Sequence, residues 1–366
     1  MTEIEIRCTN CNQPYPIDSV PYKCPNCGGI FDHIDGYHFD LDEIDDHAPG
    51  IWKFRMALGL SPTTPVISLG EGNTPLVWAK AFGQDIAFKL EYLNPTGSFK
   101  DRGTAVTMSF LKSRGINEAI EDSSGNAGAS FAAYAARAGL KAKIYIPDYA
   151  SGPKRYQMEI FGAEVTRIQG KRSATAEAVR KMADLGATYA SHAYLPHGFA
   201  GFATITYEIW EQLGEAPGTV IVPVGQGSLM LGIGRGFQAL KQAKVISEIP
   251  HLIGVQALAC APIWAVFTNG ASGLMWTTEG ETIAEGVRIY RPLRGDVVLK
   301  TVADTNGMFV AVDEKNIIAG RSELANRGFF VEPTSAIVWN AIEQVVKNVP
   351  KPIVAILTGS GFKSLN

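Results

Sequence analysis

One lysine in this sequence has the setting that covalent amine chemistry requires. Lys100 lies in the string NPTGSFKDRG, residues 94–103, between a β-like run and a segment with apolar residues at helical spacing. Asn94, Pro95 and Gly97 supply turn chemistry that ends the strand. A lysine at a strand–loop–helix junction is held by the backbone, so its amine can point into a cleft. This is the placement that a Schiff-base lysine needs. A solvated surface lysine is the alternative interpretation, since the chain has 33 lysine and arginine residues.

A loop beyond this lysine has the composition of an anion site. It follows a short strand and opens an alanine-rich helix, and its residues are Ser123, Ser124, Gly125, Asn126 and Ala127. Free backbone N–H groups at a helix start bind anions, and a glycine allows the ligand to approach closely. We therefore expect this loop to bind a substrate carboxylate. A helix start that is simply capped by Ser124 or Asn126 is the alternative interpretation.

A second loop, within VGQGSLMLGIGRG (224–236), also follows a strand and opens a helix. The backbone N–H groups that can converge on a phosphate there are those of Gly225, Gln226, Gly227, Ser228 and Leu229. The dinucleotide fingerprint needs a third glycine that this loop lacks, and Ile233 stands where a P-loop requires lysine. The loop therefore indicates an isolated phosphate. Close packing of a helix on a strand through small residues is the alternative.

Four cysteines near the N-terminus have metal-ligand spacing. Cys8 and Cys11 form one CxxC pair, Cys24 and Cys27 form a second, and twelve residues separate the pairs. Two such pairs complete a tetrahedral Zn²⁺ site with no open position, so we expect a structural metal. Two disulfides are the alternative, which a cytoplasmic chain disfavours. Seven acidic residues between positions 32 and 46 oppose a nucleic-acid-binding ribbon.

The elements that must position these residues alternate along the chain. Strands are predicted at 86–92, before 123, at 141–147, 164–169, 188–192, 219–225 and 251–257, and from 353 onward. Helices are predicted from 104, up to 139, and at 153–162, 173–186, 201–213 and 229–243. Near-continuous apolar strands between helices indicate a mostly parallel sheet that is covered on both faces.

Composition excludes several classes of partner. The chain has 366 residues with a formal net charge of −3, so no basic field favours nucleic acid. Its N-terminal ten residues lack the apolar region of a secretory signal. The uncharged run 252–278 is long enough to cross a bilayer, but Gln256, Pro262 and Asn269 favour a buried strand and a short helix. We therefore expect a cytoplasmic protein without nucleic-acid or membrane partners.

Taken together, these motifs resemble those of a known enzyme family. NPTGSFKDRG, the entry string ISLGEGNTPL (67–76), the two loops and the strand IVAILTGSGFK (353–363) are similar to the threonine-synthase branch of the pyridoxal-phosphate (PLP) enzymes of the tryptophan-synthase-β type. The resemblance covers residues 68–362. It implies that Lys100 carries PLP, that Asn126 bonds the ring hydroxyl oxygen, and that residues 225–229 bind the cofactor phosphate.

The resemblance also assigns the other end of the cofactor ring. It implies that Thr358 contacts the pyridine nitrogen and that Glu285 lies at the edge of the cleft. A hydroxyl group cannot keep this nitrogen fully protonated, so the ring is a weaker electron sink than it is beside an aspartate. Such a cofactor suits elimination and replacement better than transamination.

The same resemblance implies an α/β fold of two three-layer αβα domains with mostly parallel sheets. Residues 1–48 then form the zinc ribbon, 49–93 with 193–366 form the large PLP-binding domain, and 94–192 form the small domain. Some members of the threonine-synthase group carry a similar N-terminal ribbon. The family further implies a homodimer that acts on an amino-acid substrate.

Two positions depart from the threonine-synthase pattern. Ala127 stands where that pattern has threonine, and Gly198 stands where an NPxR-type segment supplies an arginine for the substrate phosphate. Loss of a bidentate partner matters for a phosphate dianion. His197, Lys154 or Arg155 would have to compensate.

These departures leave three functions open. The first is a threonine synthase that uses O-phosphohomoserine. The second is a serine or threonine dehydratase, or a β-replacement enzyme of the cysteine- or cysteate-synthase kind. The third is an inactive regulator that is built on the same scaffold.

Overall fold

The computed structural model describes residues 5–34, 36–150, 152–170 and 172–365. The strands are β1 (Ile6–Cys8), β2 (Phe31–His33), β3 (Leu76–Ala81), β4 (Gln84–Lys89), β5 (Glu118–Glu121), β6 (Lys141–Pro147), β7 (Glu164–Ile168), β8 (Thr219–Pro223), β9 (His251–Ala257), β10 (Met308–Val312) and β11 (Ile353–Ile356). The α-helices are α1 (Lys100–Ser113), α2 (Asn126–Ala138), α3 (Pro153–Ile160), α4 (Arg172–Asp184), α5 (Phe199–Leu213), α6 (Ser228–Gln242), α7 (Pro262–Asn269), α8 (Gly295–Ala303), α9 (Glu314–Ala325) and α10 (Pro333–Val345).

The larger sheet has six strands in the order β10-β9-β8-β11-β4-β3. Its strands are parallel except β3, which pairs antiparallel with β4 as a hairpin. Every residue of β8 is buried, and alternate residues face opposite layers. Val220 and Val222 pack among α5, α6 and α8, whereas Ile221 packs with α9 and α10. Period-two side chains that are apolar on both faces therefore place this sheet between two helical layers.

The smaller sheet has three parallel strands in the order β5-β6-β7. One face packs against α1 and α2, where Met108 and Phe131 belong to an apolar cluster with Ile144. The other face carries Tyr145, which packs with Val179 of α4. The prediction of two three-layer αβα units with mostly parallel sheets is confirmed.

Most predicted elements agree with the structure, and one strand does not. The segment 188–192, predicted as a strand, makes a single isolated parallel bridge from Tyr189 to Ile120 of β5. The prediction is wrong because the chain turns directly afterwards, where the backbone N–H groups of Tyr194 and Leu195 both donate to the carbonyl of Ser191. Helix α1 begins at Lys100, four residues before the predicted start. The uncharged run 252–278 contains β9 and α7, as expected.

The N-terminal ribbon, β1 and β2 with the cysteine loops, packs against the rest of the chain through charge and aromatic contacts. The Asp32 carboxylate lies 2.9 Å from Arg235 Nη1 on α6 and 3.1 Å from Arg294 Nε. The Tyr15 ring meets Phe31 of the ribbon edge-on at 4.7 Å and Phe110 of α1 at 6.0 Å. The ribbon is therefore attached to helices of both sheets.

Among the described residues, no helix combines the length and the apolar character needed to span a bilayer.

Candidate active site

A cavity of about 130 Å³ lies where the carboxyl ends of the parallel strands meet. It is bounded by the start of α1, the loops that follow β5 and β8, the start of α10, and the residues after β11. Ligands of open α/β sheets bind outside the carboxyl ends of the strands. The cavity is lined by Lys100, Ser123, Ser124, Gly125, Asn126, Ala127, Gly225, Gln226, Gly227, Ser228, Leu229 and Thr358. The structure therefore brings every residue predicted for the cofactor and substrate sites to one place.

Lys100 is the first residue of α1, and the backbone before it is tied to the larger sheet. The Phe99 N–H donates to the carbonyl of Thr358 at 3.0 Å, and Ser98 forms a bridge with Gly359. Burial lowers the pKa of the Lys100 amine to about 8, and Glu121 opposes this shift while Arg172 adds to it. A larger fraction of the amine is therefore neutral near pH 7 than in a solvated lysine, which favours nucleophilic attack.

A buried carboxyl group and an imidazole lie close to this amine. The Oε1 atom of Glu121 is 2.6 Å from Nδ1 of His192, and both residues line a small void of about 30 Å³ with Lys100. Burial raises the pKa of Glu121 to about 8 and lowers the pKa of His192 well below its usual range. At pH 7 the pair is therefore a carboxylic acid beside a neutral imidazole, which together hold one transferable proton. Sequence reasoning missed both residues because neither lies in a motif.

The loop after β5 folds tightly over the start of α2. A Cβ atom on Gly128 would overlap the carbonyl oxygen of Ser123, so this approach requires glycine. The Asn126 Nδ2 group donates to Glu332 Oε1 at 2.7 Å, whereas Asn126 Oδ1 is buried and has no hydrogen-bond partner among the described residues. An orphaned polar atom that faces a cavity fits a polar group of a ligand. Asn126 and Ala127, whose N–H groups belong to the first turn of α2, both line this cavity.

The loop after β8 is shaped to bring its backbone close to a ligand. Gly227 has φ 89°, and a Cβ atom there would lie within 3.0 Å of Val298 Cγ2, so only glycine fits. The Gln226 side chain accepts from the backbone N–H of Leu293 at 3.1 Å, which leaves the loop backbone to line the cavity. Helix α6 begins at Ser228, directly after this turn. Such a glycine turn at a helix N-terminus fits a phosphate group.

The opposite end of the cavity carries hydroxyl groups. Thr358 Oγ1 lies 3.0 Å from Ser335 Oγ, which accepts from the Gly359 N–H at 2.8 Å. Thr358 is buried, so its orientation is fixed by this pair. Glu285 also lines the cavity and is exposed. The arrangement fits a cofactor ring whose nitrogen meets a hydroxyl group.

An ion pair joins the two halves of the cavity wall. Glu332, which precedes Pro333 at the start of α10, lies 3.1 Å from Lys154 Nζ of α3 and also accepts from Asn126. Glu332 is 2% exposed, so its charge requires these partners. Sequence reasoning missed Glu332. The proline that follows it marks a helix start, which was the available signal.

Most of the residues expected to bind a substrate phosphate do not line the cavity. A Cβ atom on Gly198 would lie 2.8 Å from both the Gly103 carbonyl oxygen and Thr107 Oγ1, so no arginine fits at this position. The His197 ring stacks on Phe110 at 3.7 Å, and Arg155 pairs with Glu159 at 2.8 Å, so neither lines the cavity. Of the three compensating residues considered, only Lys154 does.

A network of four buried charges lies next to this site. Arg102 is fully buried and bonds Glu91 at 2.7 Å and Glu208 at 2.6 Å, while Lys89 bonds Glu208 at 2.7 Å. Two cations and two anions balance, and the residues come from α1, α5, β4 and the turn after β4. Such a network is stable only when all its members are present. It fixes the first turn of α1, which begins with Lys100.

The four N-terminal cysteines form a separate cluster. Their Sγ atoms all lie within 4.8 Å of one another, with Cys8 and Cys27 at 3.4 Å and Cys11 and Cys24 at 3.6 Å. All four are free thiols, so the predicted alternative of two disulfides does not describe this structure. Four converging sulfur ligands fit a tetrahedral metal ion.

Comparison with known proteins supports the interpretation of the cavity as a pyridoxal-phosphate site. The family model described as "Pyridoxal-phosphate dependent enzyme" matches residues 67–359. The threonine synthase of Methanocaldococcus jannaschii is 32% identical over 98% of this chain and 92% of that protein. The threonine synthase of Synechocystis is 35% identical over 86% of this chain and 82% of that protein.

Solved structures share the fold at lower identity. Maize serine racemase superposes with a TM-score of 0.69 at 22% identity, over 79% of this chain and 88% of that chain. The O-acetylserine dependent cystathionine beta-synthase of Helicobacter pylori superposes with a TM-score of 0.67 at 22% identity, over 80% of this chain and 94% of that chain. The family match covers more than half of the chain and includes the lysine, both loops and Thr358. This chain therefore belongs to the family of pyridoxal-phosphate dependent enzymes.

Proposed function

We propose that this enzyme is a threonine synthase, a lyase that eliminates phosphate from O-phosphohomoserine and adds water at Cβ to give L-threonine. One observation carries the proposal: Lys100 shares a cavity with two separate loops, each of which opens a helix. The names of the relatives that match most of the chain support the choice of substrate.

Each part of the cavity has a role in this reaction. Residues 225–229 bind the cofactor phosphate, Asn126 bonds the ring hydroxyl oxygen, and Thr358 meets the ring nitrogen. The backbone N–H groups of residues 123–127 bind the substrate α-carboxylate and so orient the Cα–H bond. When bound, PLP supplies the electron sink that stabilises negative charge at Cα.

Proton transfer is assigned to Lys100 and its neighbours. The neutral amine of Lys100 takes the α-proton at Nζ. The ammonium that results is stabilised when Glu121 has lost its proton, because the ionised Glu121 carboxylate raises the pKa of Lys100. The Glu121–His192 pair holds a second proton within the same void. The Lys154–Glu332 ion pair closes one side of the cavity and excludes water there.

The test is product analysis with purified holoenzyme. O-phosphohomoserine should give equimolar threonine and inorganic phosphate. Serine and threonine should give no keto acid, and O-phosphoserine should give no replacement product. Lys100→Ala serves as the control without catalysis. Absence of threonine from O-phosphohomoserine would refute the assignment.

A second candidate function is a serine or threonine dehydratase, or a β-replacement enzyme of the cysteine- or cysteate-synthase kind. Ala127 and the crowded Gly198 favour it, because both depart from the threonine-synthase pattern at positions that read the substrate in that pattern. Keto acid from serine or threonine, without any reaction of O-phosphohomoserine, would select this candidate. An inactive regulator would bind PLP and show no spectral response to any amino acid.

The remaining assignments are part of the same proposal. We assign Zn²⁺ as a structural ion to Cys8, Cys11, Cys24 and Cys27. We further propose a cytoplasmic homodimer, with the ribbon at 1–48, the large domain at 49–93 and 193–366, and the small domain at 94–192.

A further inference from the structure

Arg172 is a cavity residue that the roles above leave unused. It is the first residue of α4 and lines the cavity with Lys100 and His192. Its positive charge reaches the site, because it lowers the pKa of Lys100, of Glu121 and of His192. Arg172 and the Lys100 amine therefore belong to the same cavity.

The acids around Arg172 have other partners. Glu121 bonds His192 at 2.6 Å, Asp122 accepts from the Tyr189 hydroxyl at 2.8 Å, and Glu332 pairs with Lys154 at 3.1 Å. Within the described part of the chain, Arg172 makes no ion pair and no side-chain hydrogen bond. A guanidinium group has five donors in a planar fork, and no residue that the structure describes accepts from those of Arg172.

The position of Arg172 on its helix leaves its positive charge further uncompensated. A cation at a helix N-terminus faces the positive end of the helix dipole, which is unfavourable. The other side-chain cations that line the cavity are Lys100, which is the reactive amine, and Lys154, which is paired with Glu332. Arg172 is therefore the cavity cation, among the described residues, that is both unpaired and free of an assigned role.

We propose that Arg172 binds an oxyanion on the substrate side chain and so selects amino acids that carry a phosphate or similar group at Cβ or Cγ. The α-carboxylate already has a site at residues 123–127, which leaves the second anion of such a substrate for Arg172. Gly198 has no space for an arginine, so the fork is supplied from α4, on a different wall. A planar fork binds phosphate through two parallel hydrogen bonds. This inference rests on the proposed function and names its specificity residue.

The experiment compares wild type, Arg172→Gln and Arg172→Lys as holoenzymes. Arg167→Gln is the matched control, because Arg167 lies on β7, the strand that precedes α4, and its side chain is exposed. Visible absorbance is titrated with O-phosphohomoserine and O-phosphoserine, and in parallel with neutral homoserine and serine. The PLP dissociation constant of each apo-enzyme is measured separately.

Arg172→Gln should raise the half-saturating concentration of the phosphorylated amino acids about 10-fold or more, because a charged hydrogen-bond pair is lost. Arg172→Lys should give half-saturating concentrations between those of wild type and Arg172→Gln, since lysine keeps the charge without the planar fork of donors. The half-saturating concentrations of the neutral amino acids and the PLP affinity should stay unchanged in both Arg172 variants. Arg167→Gln should bind all of these ligands like wild type.

Three results would overturn the inference. An equal loss for neutral and phosphorylated amino acids would make Arg172 a structural residue. A weaker PLP affinity would assign it to the cofactor phosphate. Unchanged binding of all anionic amino acids would remove it from the site, even if threonine is formed. Conversely, Arg172-dependent binding without threonine from O-phosphohomoserine would retain the inference and refute the proposed function.

Discussion

Gly227→Ala should damage the phosphate loop through two separable effects. The first is backbone strain, because φ is 89° at this position, and a left-handed residue with a Cβ atom costs about 1–2 kcal/mol. The second is overlap of the new methyl group with Val298 Cγ2, and overpacking of this kind costs about 1–3 kcal/mol. The apo-enzyme should therefore lose about 2–5 kcal/mol in its free energy of unfolding.

Two further variants separate these effects. Gly214→Ala is the backbone control, since Gly214 has φ 74° and open space where a Cβ atom would lie. It should lose only the strain energy, about 1–2 kcal/mol. In a Val298→Ala background, Gly227→Ala should lose about 1–3 kcal/mol less than it does in wild type, because the overlap has been removed.

The assays are urea unfolding of the apo-enzymes and titration with PLP. Gly227→Ala should weaken PLP binding, and Gly214→Ala should not, because only the first glycine lies in the cavity wall. Two outcomes refute the reasoning. One is a Gly227→Ala protein that binds PLP like wild type. The other is an identical loss of stability with and without Val298.

The remaining predictions concern the amine, the buried charges and the ribbon. The rate at which apo-enzyme combines with PLP should rise with pH through about 8, since the neutral Lys100 amine is the nucleophile and its pKa is lowered to that value. Stopped-flow absorbance measures this rate, and a rate that is constant between about pH 7 and about pH 9 would contradict the prediction. Arg102→Met should destabilise the protein by about 3–5 kcal/mol in urea unfolding, because it leaves Glu91 and Glu208 buried without their partner. Lys300→Met removes an exposed i,i+4 pair with Asp304 and should change stability by less than about 1 kcal/mol. Equal effects of the two substitutions would show that the buried network has no special role. Cys24→Ser should abolish tightly bound zinc in elemental analysis and lower the melting temperature. Cys260→Ala should keep the metal, because Cys260 lies outside the cluster. Zinc retained by Cys24→Ser would show that the four cysteines are not the metal site.

The sequence predicted the parts of the site that are encoded by local chemistry. Lys100 and the two loops stand at strand–helix junctions, where turn residues and helix periodicity give a strong local signal. The four cysteines were likewise identified by spacing alone, and they converge in space.

The remaining site residues depend on tertiary packing. Glu121, His192, Arg172 and Glu332 come from four distant segments, and an isolated charged residue in a sequence has no signal that distinguishes it from a solvated one. The strand predicted at 188–192 failed for a related reason. Its apolar pattern reflects packing of Tyr189 against Tyr22 of the ribbon, at a ring distance of 5.2 Å, rather than continued pairing with β5.

The first turn of α1 is bonded to both sheets. On the side of the smaller sheet, Asp101 accepts from Ser130 Oγ of α2 at 2.6 Å. Ser98 and Phe99 bond the residues after β11, and Arg102 is held by Glu91 and Glu208. Because the first turn of α1 is bonded to both sheets, a rotation of the three-stranded sheet against the six-stranded one must strain one of these two sets of bonds. The position of the Lys100 amine is therefore coupled to the placement of the two sheets relative to one another.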